Sequence, residues 1–151
     1  MKRIMIAMGT RPEAIKLCPL IKELRSRKRS EVFVLSTGQH REMLDSALQA
    51  FGIKPDFDMD VMRTGQTLSD VTARILRRTD EILVAERPEV LVVQGDTTTA
   101  FATALAAFHR RVRVAHPRPH PTALEAHPHH RRYPVPVALR HPLHPPYAGS
   151  P

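Results

Sequence analysis

One cysteine, no tryptophan, two tyrosines and five phenylalanines among 151 residues remove several functions at the outset. A lone thiol, Cys18, makes no intrachain disulfide and no cysteine-based metal centre; beside the apolar stripe of a helical pattern it is expected to be buried and reduced. Aromatics at 5% give no stacking platforms for single-stranded nucleic acid. No apolar run approaches the roughly 18 residues that a membrane span needs. The run after Lys2-Arg3 is too short for a secretory leader, so a cytoplasmic protein without membrane association is expected. Only six glycines occur, and neither G-x-G-x-x-G nor the P-loop pattern is among their settings, which excludes a standard dinucleotide or ATP site.

Acids are also in deficit, 15 Asp and Glu against 23 Lys and Arg, for a net charge of +8. The excess is scattered: one cluster is Arg25, Arg27, Lys28 and Arg29, another is Arg110, Arg111 and Arg113, and neither is interleaved with aromatics. Both read as solvated faces, so no nucleic-acid partner is expected. A non-enzymatic basic module for nucleic acid or anionic surfaces is the alternative, and steep salt dependence with indifference to sugar identity would mark it.

The chain does contain alternating apolar runs and polar elbows. Ile4-Met5-Ile6-Ala7 is a near-continuous apolar run, as in a strand whose sheet is covered on both faces. Gly9 breaks it, and Thr10-Arg11-Pro12-Glu13 fits a capping box with proline in the first turn. Leu17, Leu20, Ile21 and Leu24 then follow at helical spacing, with Pro19 expected to kink the helix. This elbow puts Arg11 at a strand's carboxyl end and Lys16 one turn into a helix, at an edge where α/β sheets bind ligands and helix N-termini favour anions.

The pattern repeats. Val32 to Leu35 reads as a strand ending at Ser36-Thr37-Gly38-Gln39-His40, followed by a helix with Met43, Leu44, Ala47, Leu48 and Phe51 on one face and Gly52 at its left-handed cap. Asp56 to Val61 alternates acid with apolar, predicting a short edge strand. A helix is expected from about Thr67 to Glu86 with Leu68, Val71, Ile75, Ile82 and Leu83 buried, and Pro88 marks its end. Val90 to Val93 is the most apolar strand and runs into Gln94-Gly95-Asp96-Thr97-Thr98-Thr99; a helix with Ala100, Phe101, Ala104, Leu105 and Phe108 and a strand from Val112 to Ala115 complete the pattern.

Strands alternating with helices predict an α/β fold, a Rossmann-like doubly wound parallel sheet in one domain, with the loops at 9–13, 37–40 and 94–99 on one edge. Three such loops suit a nucleotide or sugar phosphate. Asp96 stands before a threonine-rich helix start, where a carboxylate can cap the helix or accept a proton; the two are compatible, since helix N–H groups that hold it ionised leave it ready for a proton. His40 taken alone is an ordinary surface or capping histidine.

Taken together, Gly9-Thr10-Arg11-Pro12-Glu13-Ala14-Ile15-Lys16, Gln39-His40-Arg41-Glu42-Met43-Leu44-Asp45 and Gly95-Asp96-Thr97-Thr98-Thr99 resemble the non-hydrolysing UDP-N-acetylglucosamine 2-epimerases, over residues 1 to about 116. That family interconverts UDP-N-acetylglucosamine and UDP-N-acetylmannosamine by eliminating UDP across C1 and C2 and adding it back. The resemblance implies one half of a glycosyltransferase-B-type architecture, two Rossmann-like domains with the active site in their cleft. It implies Arg11, Lys16 and Asp96 as catalytic groups and Thr10, Glu13, Gln39, His40 and Thr97 as substrate contacts. UDP-N-acetylglucosamine or UDP is the implied ligand, with no cofactor or metal, and the full-length family is homodimeric. Gln39 and His40 match a loop beside a regulatory substrate site in bacterial members, and Gly65 stands where some members have arginine.

The resemblance stops after His116, where the family continues with Val-Glu-Ala-Gly-Leu-Arg and later Pro-Glu-Glu-x-Asn-Arg, each supplying an acid. Instead, the 36 residues from His116 hold 10 of the 14 prolines and 7 of the 9 histidines. Such proline density predicts a domain at 1–116 and an irregular tail at 117–151. His127, His129 and His130 are read as compositional rather than metal-binding, and Glu125 maps onto neither missing acid. The expected origin is an out-of-frame reading of a GC-rich gene that removes the second domain, leaving a fragment inactive alone.

Overall fold

A computed structural model describes residues 1–117, and the expectations for the tail lie outside them. Nine elements alternate: β1 (Lys2–Met8), α1 (Arg11–Ser26), β2 (Ser30–Ser36), α2 (Arg41–Ala50), β3 (Phe57–Asp58), α3 (Leu68–Glu86), β4 (Val90–Val92), α4 (Thr98–His109) and β5 (Arg113–Ala115). The five strands are all parallel, in the order β3-β2-β1-β4-β5. The sheet is therefore doubly wound, as the alternation predicts. No described helix is long and apolar enough to cross a membrane.

β1 lies at the centre, with Ile6 in register with Val34 of β2 and Val92 of β4. Its successive side chains point to opposite faces, so both faces need cover. Met5 and Ala7 enter one core with Leu35, Leu91, Val71, Ile75 and the alanines of α4. Ile6 and Met8 enter the other with Val34, Leu17, Cys18, Ile21, Leu44 and Leu48 from α1 and α2. Met5, Ile6 and Met8 are fully buried, and each such side chain contributes about 1.5–3 kcal/mol. Cys18 is buried, and loss of solvation pushes its thiol pKa up against the opposing charge of Lys22. Pro19 is exposed within a continuous α1.

Four details differ from the periodicity. β3 is two residues long, because Asp60 adopts a left-handed φ of 45° and ends the extended run. The alternation still governs burial: Met59 and Val61 are buried, and their N–H groups donate to Ser36 and Thr37 carbonyls at 2.9 and 3.0 Å. Leu68 is 68% exposed, since it opens α3 before the helix reaches the core. Met43 is likewise exposed on α2, and Phe101 and Phe108 on α4. α4 instead buries Thr99, Ala100, Ala102, Thr103, Ala104, Ala106 and Ala107, small side chains that let it lie close to α3 and the sheet. Gly52 takes the expected left-handed position after α2 with φ of 66°.

The basic clusters fall where α1 and α4 end, at the amino-terminal edge of the sheet and away from the three polar loops. Many of these cations have anionic partners: Arg25 with Asp56, Arg27 with Glu23, Arg110 with Asp80 and Arg113 with Glu89.

Candidate functional site

In a parallel sheet every strand presents the same end to the same edge, so the loops after β1, β2 and β4 share the carboxyl edge. From β1 the chain winds outward to β2 and β3 on one side, whereas β4 and β5 lie on the other. The topological switch point thus falls between β1 and β4, where the loops carrying Arg11 and Asp96 emerge; open α/β sheets bind ligands at this position.

Main-chain bonds join the first two loops. Thr37 N–H donates to Met8 O and His40 N–H to Gly9 O, both at 2.9 Å. Threonine hydroxyls join the second loop to the third: Thr99 Oγ1 donates to Gln39 Oε1 at 2.9 Å and lies 2.8 Å from Thr37 Oγ1. With its single proton given to Gln39, Thr99 accepts from Thr37. Gly9 sits between these two hydroxyls, where a built Cβ would lie 2.2 Å from Thr99 Oγ1 and 2.3 Å from Thr37 Oγ1. Here glycine is required by close approach and not by a left-handed φ. Arg41 closes the second loop against β3 with a two-pronged bond to Asp58 at 2.6 and 3.1 Å.

Arg11 is the first residue of α1, and it is exposed together with Lys16. The capping role open to Asp96 is taken by its neighbour. Thr97 is the N-cap of α4, its Oγ1 accepting from Ala100 N–H at 3.1 Å. Asp96 is left exposed, and among the described residues its carboxylate, like the cationic heads of Arg11 and Lys16, has no hydrogen-bond or ion-pair partner. His40 is exposed at the N-cap position of α2 with its side chain making no cap bond, and Gln39 is half-buried beside Thr99.

The other expected contacts face inward. Glu13 is 3% exposed and Thr10 5%. Glu13 Oε2 accepts from Gly9 N–H at 2.7 Å, Thr10 N–H at 2.8 Å and Thr10 Oγ1 at 3.0 Å, and its Oε1 accepts from Thr97 Oγ1. Burial leaves Glu13 and Thr10 little surface for a ligand, whereas Thr97 is half-buried; both hydroxyls donate to the Glu13 carboxylate. His116 carried no signal in the sequence beyond marking the end of the resemblance. It follows β5, and its Nε2 donates to Gly95 O at 2.9 Å, beside Asp96.

A cavity of about 730 Å³ lies elsewhere, along α3 between Arg63 and Glu81. Its guanidinium groups are partly spent, Arg63 on Asp60 and Arg78 on Glu81. Among the described residues no group of three or more His, Cys, Asp or Glu is placed to hold a metal ion.

The family model for UDP-N-acetylglucosamine 2-epimerase matches residues 22–118. A putative UDP-N-acetylglucosamine 2-epimerase of Clostridium acetobutylicum is 50% identical over 114 residues, 76% of this chain and 30% of that protein. The S. aureus MnaA-UDP co-structure shares 47% identity with a TM-score of 0.73, covering 77% of this chain and 30% of its own. The Neisseria meningitidis UDP-GlcNAc 2-epimerase bound to UDP-GlcNAc shares 43% with a TM-score of 0.71, over 77% of this chain and 31% of its own. The chain thus spans about 30% of the length of such relatives. With the matching sheet, the matching loops and a family model that spans most of the described residues, the chain belongs to the UDP-N-acetylglucosamine 2-epimerase family.

Proposed function

We propose that residues 1–116 are the N-terminal domain of a non-hydrolysing UDP-N-acetylglucosamine 2-epimerase, one Rossmann-like half of a glycosyltransferase-B architecture. The whole enzyme interconverts UDP-N-acetylglucosamine and UDP-N-acetylmannosamine. One observation carries this most: Arg11, Lys16 and Asp96 are exposed on the edge that holds the switch point, while the polar groups around them are bonded to one another. The UDP and UDP-GlcNAc in the related structures suit this edge.

The reaction explains the residue types. The C1–O bond to the diphosphate breaks, a base takes the C2 proton, and the C2–H electron pair becomes the C1–C2 double bond; return of the proton to the other face and re-addition of UDP complete the inversion. The C2 hydrogen is flanked by an amide nitrogen and not a carbonyl, so it is barely acidic and departure of the diphosphate leads. Cations on the leaving group are then the main electrostatic lever. Arg11 supplies a two-pronged contact to the diphosphate and Lys16 a point charge, at the N-terminal end of α1. Asp96, exposed and not spent on capping, is the acid–base group. Gln39, His40 and Thr97 complete the polar rim, with Thr10 buried beneath it and bonded to Glu13. In the whole protein the reaction runs in the cytoplasm, in a homodimer, without cofactor or metal.

UDP binding measured by calorimetry tests the assignment. The chain binds UDP weakly, and Arg11→Ala weakens that binding at least about tenfold, the value of one charge-assisted bond. Equal binding by Arg11→Ala, or none by the unaltered chain, overturns the assignment of this edge. The chain alone is expected to form no UDP-N-acetylmannosamine in a coupled assay, since each missing acid–base group costs about 10²–10⁴-fold. Turnover by the chain itself would show that the second half is not required.

A further inference from the structure

We infer that Glu13 is a positioning residue that fixes Arg11 relative to Asp96, and not a contact to the substrate. The inference rests on the function proposed above. Glu13 is the third residue of α1, and an ordinary capping role would need only its bond to Thr10 N–H. Its carboxylate does more. Oε2 gathers Gly9 N–H, Thr10 N–H and Thr10 Oγ1, the groups directly before Arg11. Oε1 takes the hydroxyl of Thr97, the residue directly after Asp96 and 84 positions away in sequence. One buried side chain therefore ties the loop of the cation to the loop of the carboxylate across the switch point. Thr97 passes the constraint on, because the same oxygen accepts from Ala100 N–H at 3.1 Å and fixes the start of α4. His116 restrains Asp96 from its other side through Gly95 O.

The clamp depends on reach more than on charge. Glutamine has the same length; its carbonyl can accept from Gly9 and Thr10 while its amide donates to Thr97 Oγ1. Aspartate keeps the charge but is one methylene too short to hold both loops. A carboxylate that touched substrate or moved a proton would show the opposite order.

The experiment is a UDP titration of the full chain followed by amide NMR, on Glu13→Gln, Glu13→Asp and Thr97→Val, with melting temperatures to confirm folding. Glu13→Asp should move the amide resonances of Gly95, Asp96 and Thr97 and weaken UDP by roughly ten- to a hundredfold, as misplacement of a binding group does. Glu13→Gln should keep affinity within about threefold, the value of less than one neutral hydrogen bond. Thr97→Val, which alters the other end, should move the amides of Gly9 and Thr10, and adding it to Glu13→Asp should cost nothing further. Glu13→Gln losing as much as Glu13→Asp, or Glu13→Asp leaving residues 95–97 unmoved, overturns the clamp. Absence of UDP binding by the unaltered chain would count against the proposed function alone. The resonance changes would still decide the clamp, with Thr97→Val serving if Glu13→Asp does not fold.

Discussion

Gly9 is the position on which the three loops close. Its Cα lies against two buried hydroxyls that are bonded to each other, and a methyl group there would sit 2.2 and 2.3 Å from their oxygens. The threonines cannot swing aside without losing Thr37–Thr99 and Thr99–Gln39. Gly9→Ala is therefore expected to destabilise the domain by about 1–3 kcal/mol, the usual cost of overpacking, read as a lower urea midpoint with an unchanged slope. Thr99→Ala in the same chain should recover part of the loss by removing the nearer clash. Glycine in the first elbow is legible in the sequence as a strand breaker. Its steric role is not, since the clashing side chains lie in the other two loops.

Between elements, Asp80 in the second half of α3 and Arg110, the C-cap of α4, join the two helices, with Nε–Oδ1 and a second nitrogen–Oδ2 distance both 2.5 Å. Hydrogen bonding from the Arg110 guanidinium holds the Asp80 carboxyl below its ordinary value of 3.8. A depressed carboxylate pKa adds stability that is present above the unfolded value and lost as pH falls through the folded one. The pair is 47% and 33% exposed, so solvent limits its worth. Asp80→Asn should cost less than about 1 kcal/mol at neutral pH. That difference should shrink as pH falls below 3.8, where the unfolded carboxylate takes up a proton before the native one does, and urea unfolding at neutral pH and near pH 3 would reveal it. An unchanged difference at the two pH values would mean that Asp80 acts through packing.

Across the molecule, the apolar surface is uneven. Phe101 and Phe108 are 47% and 36% exposed, with Leu105 between them at helical spacing on the same face of α4. Beside α4, β5 ends the sheet with one side unpaired among the described residues. An apolar stripe next to an open edge favours association. The chain is expected to bind a hydrophobic dye and to scatter light increasingly with concentration, and Phe101→Lys with Phe108→Lys should reduce both with little change in melting temperature. Monodisperse, dye-silent behaviour of the unaltered chain would mean that the stripe is covered in solution.

The sequence by itself determined the α/β alternation, the polar elbows after three strands, and the motifs that place the chain in its family. These are local properties: apolar runs, helical spacing and capping residues record burial and backbone geometry within a few positions. Tertiary structure alone decided the strand order that sets the Arg11 loop beside the Asp96 loop, since order follows from packing both faces of β1. It also decided that Asp60 ends β3, that α4 buries its alanines and not its phenylalanines, and that Thr97 caps α4 and frees Asp96. Glu13 shows the division most clearly. Its capping spacing is written in four consecutive residues, but its second partner is 84 positions away, and only the folded sheet brings that hydroxyl to the carboxylate.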